Sequence, residues 1–172
     1  MLKIVSMVTI CTLNQPLDLL YLSNNIEGAI LTKKVGRWVK YRIKPENNYI
    51  AFYKSGKFLI SGVKSKEKIN NIAQRIIIIL ENGGVKVNIQ KIEIVNIVCL
   101  GSLHLKTTIE SIISILDSRD ASYEPELFPG LIYKNWGGTF LLFSSGKVII
   151  TGVRDLKTAK NLLKKFENLI NK

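Results

Sequence analysis

The chain has 172 residues, 47% of them hydrophobic and 22% charged, and a formal net charge of +12. That length can bury a real core, and the excess of lysine and arginine favours a polyanionic partner. No apolar run reaches the roughly 18 residues of a membrane span, and the densest, residues 76–80, sits inside a polar-flanked helical pattern.

Residues 2–13 alternate and predict a strand, apolar enough on both faces that one is covered and the other functional. Pro16 at the first helical position and Asp18 in the first turn predict a short helix to about Glu27, with Leu17, Leu20 and Leu22 as its apolar positions. Strands follow near 38–44, 49–54 and 57–63, and Ser55-Gly56 makes the tight turn between the last two. Ser65 predicts the N-cap of a long helix to about Glu81. Its stripe is Ile69, Ile72, Ala73, Ile76, Ile77 and Leu80, and Asn82-Gly83-Gly84 stops it. Residues 85–102 form a long apolar stretch that should join the halves through the sheet. A helix at about 106–117, strands at 131–135, 139–143 and 147–153, and a last helix capped by Asp155 and running to about Ile170 complete the reading.

The second half repeats the first at an offset of 90 residues. Ile4-Val5 falls on Ile94-Val95, Ser55-Gly56-Lys57 on Ser145-Gly146-Lys147, and Ile60, Gly62 and Val63 on Ile150, Gly152 and Val153. The offset is the same before and after the variable middle, which predicts no net gap. A unit of strand, helix, three-strand meander and helix, used twice, predicts an antiparallel sheet with helices on one face and a pseudo-two-fold arrangement. A nearly two-fold partner such as duplex DNA suits it. The charge is uneven: residues 1–90 hold fourteen Lys/Arg against five Asp/Glu, residues 91–172 eleven against eight.

Cys11 and Cys99 occupy non-equivalent repeat positions and suggest no disulfide framework, which fits a reducing compartment. His104 has no partners at metal spacing. The N-terminus enters strand-like sequence with no cleavable signal pattern. Carboxylates do not converge, no nucleophile has an adjacent base, and no glycine-rich phosphate loop follows a strand, so catalysis, a metal and a cofactor are not expected.

Strand residues two apart share a face. Ser6 with Val8, Ala51 with Tyr53 and Leu59 with Ser61 line one face of the first copy. Asn96 with Val98, Leu141 with Phe143 and Ile149 with Thr151 line it in the second. These residues are apolar, small polar or aromatic, which suits the floor of an A·T-rich minor groove with its acceptors and sugar edges. They also suit an ordinary core, and Asn96 separates the readings, because a buried asparagine without partners costs about 1–3 kcal/mol.

The phrase Ser122-Tyr-Glu-Pro-Glu-Leu-Phe-Pro-Gly-Leu-Ile-Tyr133, followed by Phe140-Leu-Leu-Phe-Ser-Ser-Gly-Lys147 and Ile149-Ile-Thr-Gly-Val153, resembles the core of the TATA-box-binding protein family. The resemblance is strong in 91–172 and weaker in 1–90. It implies an α+β fold, a duplicated saddle with one curved antiparallel sheet and helices on the convex face. The two repeats, 1–90 and 91–172, would form one continuous DNA-binding domain. Family members usually continue into one more strand after the last helix, so that edge is expected to be missing here.

The function implied is that of a general transcription initiation factor, without enzymatic activity, that binds and bends A/T-rich promoter DNA through the minor groove. It would recruit transcription factor IIB and RNA polymerase. Four phenylalanines in the family push between base steps. Phe128 and Phe143 match the second pair, and the repeat offset makes Trp38 and Tyr53 the first, although a gapped alignment puts Val35 or Gly36 in place of Trp38. Minor-groove contacts would be Ser6, Val8, Ala51, Leu59, Ser61, Asn96, Val98, Pro129, Leu141, Ile149 and Thr151. Arg37, Arg42, Lys57, Lys134 and Lys147 would meet phosphates.

Glu124, Glu126 and Leu127 resemble the docking site for transcription factor IIB, and the basic stretch 33–37 at the matching place of the first copy predicts docking on one side only. The basic helix ends (Lys64, Lys66, Lys68, Lys157, Lys160, Lys164, Lys165) form either a solvated face or a surface for transcription factor IIA, other regulators or upstream DNA. No membrane partner is expected. The alternatives are a family paralogue acting as a protein-interaction scaffold and an accessory domain of a nucleic-acid-processing enzyme. The phrase at 122–133 and the basic charge lean towards the nucleus, with an archaeal cytoplasm as the alternative.

Overall fold

Residues that alternate in the sequence alternate in burial. In the computed structural model, which describes residues 1–33 and 36–171, strand β1 (Lys3–Leu13) buries Met7, Thr9, Cys11 and Leu13 and leaves Ser6, Val8, Ile10 and Thr12 half-covered. The chain divides into a first unit, Ser6–Val95, and a second, Asn96–Lys172 with Met1–Val5. The first contains α1 (Leu19–Asn25), β2 (Ile30–Leu31), β3 (Trp38–Ile43), β4 (Asn48–Tyr53), β5 (Lys57–Val63) and α2 (Lys66–Asn82). The strands of its sheet run in the order β2-β3-β4-β5-β1. The second repeats the layout with β6 (Ile89–Ser102), α3 (Ile109–Ile115), β7 (Ala121–Ser122), β8 (Gly130–Asn135), β9 (Gly138–Phe143), β10 (Lys147–Val153) and α4 (Leu156–Ile170). Its strand order is β6-β10-β9-β8-β7, and the pairs within each unit are antiparallel.

One face of each sheet is sealed by helices. The predicted stripe of α2, from Ile69 to Leu80, is buried, and so are Ile50, Phe52, Phe58 and Ile60 on the sheet. In the second unit Phe166 of α4 stacks on Phe140 at 4.6 Å and on Tyr133 at 5.3 Å. The long helices start where the sequence says: Ser65 Oγ accepts from the Lys68 amide at 3.3 Å and Asp155 from the Thr158 amide at 2.8 Å, each satisfying a first-turn donor. Gly83 ends α2.

Three expectations are corrected. Pro16 lies outside α1, because the Asp18 carboxylate accepts from the amides of Leu20 and Tyr21 at 3.0 Å and so makes Asp18 the N-cap. Leu20 is 61% exposed, whereas Leu17 and Leu22 are buried. Thr108 caps α3, which is shorter than the predicted 106–117.

The unbroken offset of 90 also needs correction. Trp38 pairs with Tyr53 and Gly130 with Phe143, so β3 and β8 correspond at an offset of 92 while β4 and β9 keep 90. Twelve residues, 26–37, separate α1 from β3, and fourteen, 116–129, separate α3 from β8. The hairpin compensates: four residues, 44–47, join β3 to β4, against two, Trp136 and Gly137, between β8 and β9. The short turn has positive φ at both residues, 53° and 75°, the backbone of a tight hairpin. The longer one is tied to α2 by Arg75, which binds the Glu46 carboxylate at 2.9 Å and donates to the Lys44 carbonyl.

Candidate nucleic-acid interface

The face of each sheet away from its helices carries the residues singled out by the sequence. In the second unit Asn96 and Val98, Leu141 and Phe143, and Ile149 and Thr151 are all half-buried and share strand parity on that open face. Asn96 has its partners: its Nδ2 donates to Thr151 Oγ1 at 3.0 Å, and its Oδ1 accepts from the Gly152 amide at 2.8 Å. Its polarity is therefore satisfied within the unit, with the amide held rigid at the surface. Phe128 and Phe143 meet edge to face with centroids 5.8 Å apart. They stand over Gly130, where a Cβ would lie 2.7 Å from Phe128 and 3.1 Å from Phe143, so only glycine leaves the two rings in place. Pro129 beside them is exposed.

In the first unit Ser6, Val8, Leu59, Ser61 and Tyr53 take the corresponding open-face positions, with Val8 opposite Ser61 and Tyr53 opposite Lys57. Burial, and then the neighbouring Tyr49, raises the Tyr53 phenol above its ordinary pKa, so the ring is uncharged at neutral pH. Tyr49 and Lys40 share this face and were not recognised in the sequence, although the parity of β3 and β4 already contained them.

Two expectations fail here. Ala51 is 1% exposed and does not present itself to a ligand. Trp38, opposite Tyr53, donates from Nε1 to the hydroxyl of Tyr49 at 3.0 Å, and that bond passes across Ala51, the residue between Tyr49 and Tyr53 on the same face. Nor does Trp38 correspond to Phe128. It occupies the place of Gly130, and two residues before it, at the place of Phe128, stands Gly36. Val35, the other alternative, and Lys34 lie outside the described residues.

The cations edge these faces. Lys57 and Lys147 open β5 and β10 on the open-face parity, Lys134 lies on β8, and Arg37 is exposed before β3. Arg42 corresponds to Lys134 in register. Its guanidinium sits over the Tyr49 ring at 5.2 Å and donates to the Asn47 carbonyl at 3.1 Å. Glu124 and Glu126 are exposed, and Leu127 is 81% exposed on a turn closed by bonds from the Leu127 and Phe128 amides to the Glu124 carbonyl at 2.9 Å. An exposed apolar residue thus follows two exposed carboxylates on one turn. The lysines of the helix ends (64, 66, 68, 157, 160, 164 and 165) are exposed.

A model of the family described as transcription factor TFIID, or TATA-binding protein, matches residues 1–83 and again 91–172. The chain belongs to the TATA-box-binding protein family. It is 31% identical to the TATA-box-binding protein of Sulfolobus acidocaldarius over 98% of this chain and 86% of that one. It is 30% identical to that of Methanocaldococcus jannaschii over 98% and 93%. The solved structure of the Methanococcus jannaschii TATA-binding protein superposes with a TM-score of 0.84 at 30% identity, covering 99% of this chain and 98% of that one. The fold class expected from the sequence is therefore the one adopted. The TATA-box-binding protein family is one of non-enzymatic, DNA-binding transcription factors. These relatives are archaeal, so the lean towards a nucleus is not supported.

Proposed function

We propose that the chain is a general transcription initiation factor that lays the open faces of both repeats, 1–90 and 91–172, on the minor groove of one A/T-rich duplex and bends it. The observation that carries this is the open face of the second unit, where Asn96, Val98, Leu141, Ile149 and Thr151 form an uncharged floor beside two half-buried phenylalanines in edge-to-face contact. Among base edges, the minor groove of A·T pairs offers acceptors alone and lacks the guanine amino group that would clash with such a floor. Apolar rings can unstack a base step from that side.

Bending a short duplex costs on the order of 1–6 kcal/mol. Two rings burying about half of the roughly 150–250 Å² an aromatic carries offset about 4–6 kcal/mol at ~25 cal/mol/Å². Lys57, Lys134, Lys147, Arg37 and Arg42 meet phosphates, so affinity falls steeply with salt. Exposed Leu127, with the carboxylates of Glu124 and Glu126, docks a basic, apolar-pocketed surface of transcription factor IIB, which brings the polymerase. Residues 33–37 of the first unit carry no acid, so docking is one-sided. The archaeal relatives favour the cytoplasm of an archaeon as its place of action.

Binding to a TATA-containing duplex and to a scrambled one at fixed salt, read by anisotropy, tests the specificity. Resonance energy transfer between dyes at the duplex ends tests the bend, and a bend unchanged in Phe128→Ala would reject the wedge.

A further inference from the structure

A ring can enter a base stack only if it stands clear of its own sheet, and the two units differ at that point. Phe128 and Phe143 prop each other over the bare Gly130. In the first unit the residue opposite Tyr53 is Trp38, and the place of Phe128 is taken by Gly36, which has φ +74° and, among the described residues beyond its chain neighbours, nothing within 4 Å of where a Cβ would lie. The indole of Trp38 is tied down along the strands by the Tyr49 hydroxyl, and the Tyr49 ring in turn carries the Arg42 guanidinium. The near-complete burial of Ala51 marks where that bridge covers the face. Among the described residues of the first unit, Tyr53 is left as the one ring in register with a wedge position, without a partner like Phe128 to hold it upright.

We infer that this protein drives a two-ring wedge into DNA only at the half-site held by its second unit, and that the first unit grips its half without a kink. There Trp38 serves as a flat floor, and Lys40, Arg42 and Lys57 serve as cations for the phosphates. The inference rests on the DNA-binding reading above. It gives the complex a direction from DNA mechanics alone. The easily unstacked pyrimidine–purine step, which lowers the cost of a kink, is required at one end of the site and dispensable at the other.

The test uses A·T-rich duplexes with 2-aminopurine at the end steps of the site, whose fluorescence rises when the base is unstacked, and a dye on the same duplex whose anisotropy reports binding. Both ends are read at saturating protein, so that molecules bound in either orientation are counted. Phe128→Ala should cut the summed rise about fivefold or more, because Phe143 loses the ring that props it and the only wedge pair no longer forms. Phe128→Leu, which keeps bulk and guards against a folding defect, should cut it about threefold, since leucine has no face to stack. If about half the rise survives Phe128→Ala, a second wedge operates in the first unit and the inference is overturned. An anisotropy that never rises with the unaltered protein rejects the DNA-binding reading itself.

Discussion

The Ser6–Val95 unit and the Asn96–Lys172 unit share strand order, helix order and the Ser-Gly-Lys turn, yet their two faces have changed in different ways. Under the helices the substitutions compensate: Phe52 stands where Leu142 does, Ile50 where Phe140 does, and Phe58 where Val148 does, all fully buried. A close-packed core accepts swaps that conserve volume and rejects most others. On the open faces nothing enforces compensation. Asn96 with Thr151 in the second unit corresponds to Ser6 with Ser61 in the first, the propped phenylalanine pair to Tyr53, and Ile132 and Gly130 to Lys40 and Trp38. Packing holds the two units to one fold, while the open faces have diverged towards different contacts with a partner.

The largest effect should come from setting the rings against each other. Phe143→Ala, losing about 100 Å² of inserted ring at ~25 cal/mol/Å², should weaken binding to an A·T-rich duplex about 70-fold, and Tyr53→Ala less than about tenfold. Anisotropy titrations at one salt concentration measure both, and equal losses would erase the asymmetry. Gly130→Ala should weaken DNA binding about tenfold with little change in Tm, since its methyl displaces Phe128 and Phe143 at a half-exposed surface.

Stability sharpens the comparison at the polar positions. Asn96→Ala leaves Thr151 and the Gly152 amide without partners and should cost about 2 kcal/mol by urea denaturation, whereas Ser6→Ala should stay within about 0.5 kcal/mol. Thr9 and Cys99 occupy one repeat position, both fully buried, and the Thr9 hydroxyl finds no partner. Thr9→Val should therefore stabilise the protein by about 1 kcal/mol in the same assay.

The smallest effect concerns the cap of α4. Hydrogen bonds from the Thr158 amide and hydroxyl hold the Asp155 carboxyl below its ordinary value of 3.8. A lowered folded-state pKa gives stability that is present above 3.8 and lost as pH falls through the folded value. Tm of the unaltered protein should fall across that range more than Tm of Asp155→Asn, and parallel curves would show that the cap charge is immaterial. Ser65, an uncharged cap, gives α2 no such dependence.

Much of this was legible in the sequence because it depends on local periodicity. The alternation in β1, β5 and β10 placed Ser6, Leu59, Ile149 and Thr151 on the face the structure leaves open, and Ser65 and Asp155 announced their helices. The register of β3 was not legible, because an offset counts residues whereas a sheet is aligned by hydrogen bonds. Two residues removed before Trp38 and two added at 44–47 cancel in the count and move Trp38 onto the place of Gly130. Strands of two residues, β2 and β7, have no period to detect. The cover over Ala51 depends on an indole reaching Tyr49, eleven residues away in sequence.

The groove itself is tested most directly by replacing the A·T pairs of a bound duplex with inosine·cytosine pairs. This leaves the minor-groove edge without the guanine amino group while changing the major groove to that of G·C. Binding within about twofold of the A·T duplex, with guanine·cytosine at the same positions abolishing it, is the result expected of an uncharged floor built from Asn96, Val98, Leu141, Ile149 and Thr151. Loss of binding to the inosine duplex equal to the loss with guanine would mean that the protein reads another edge of the DNA.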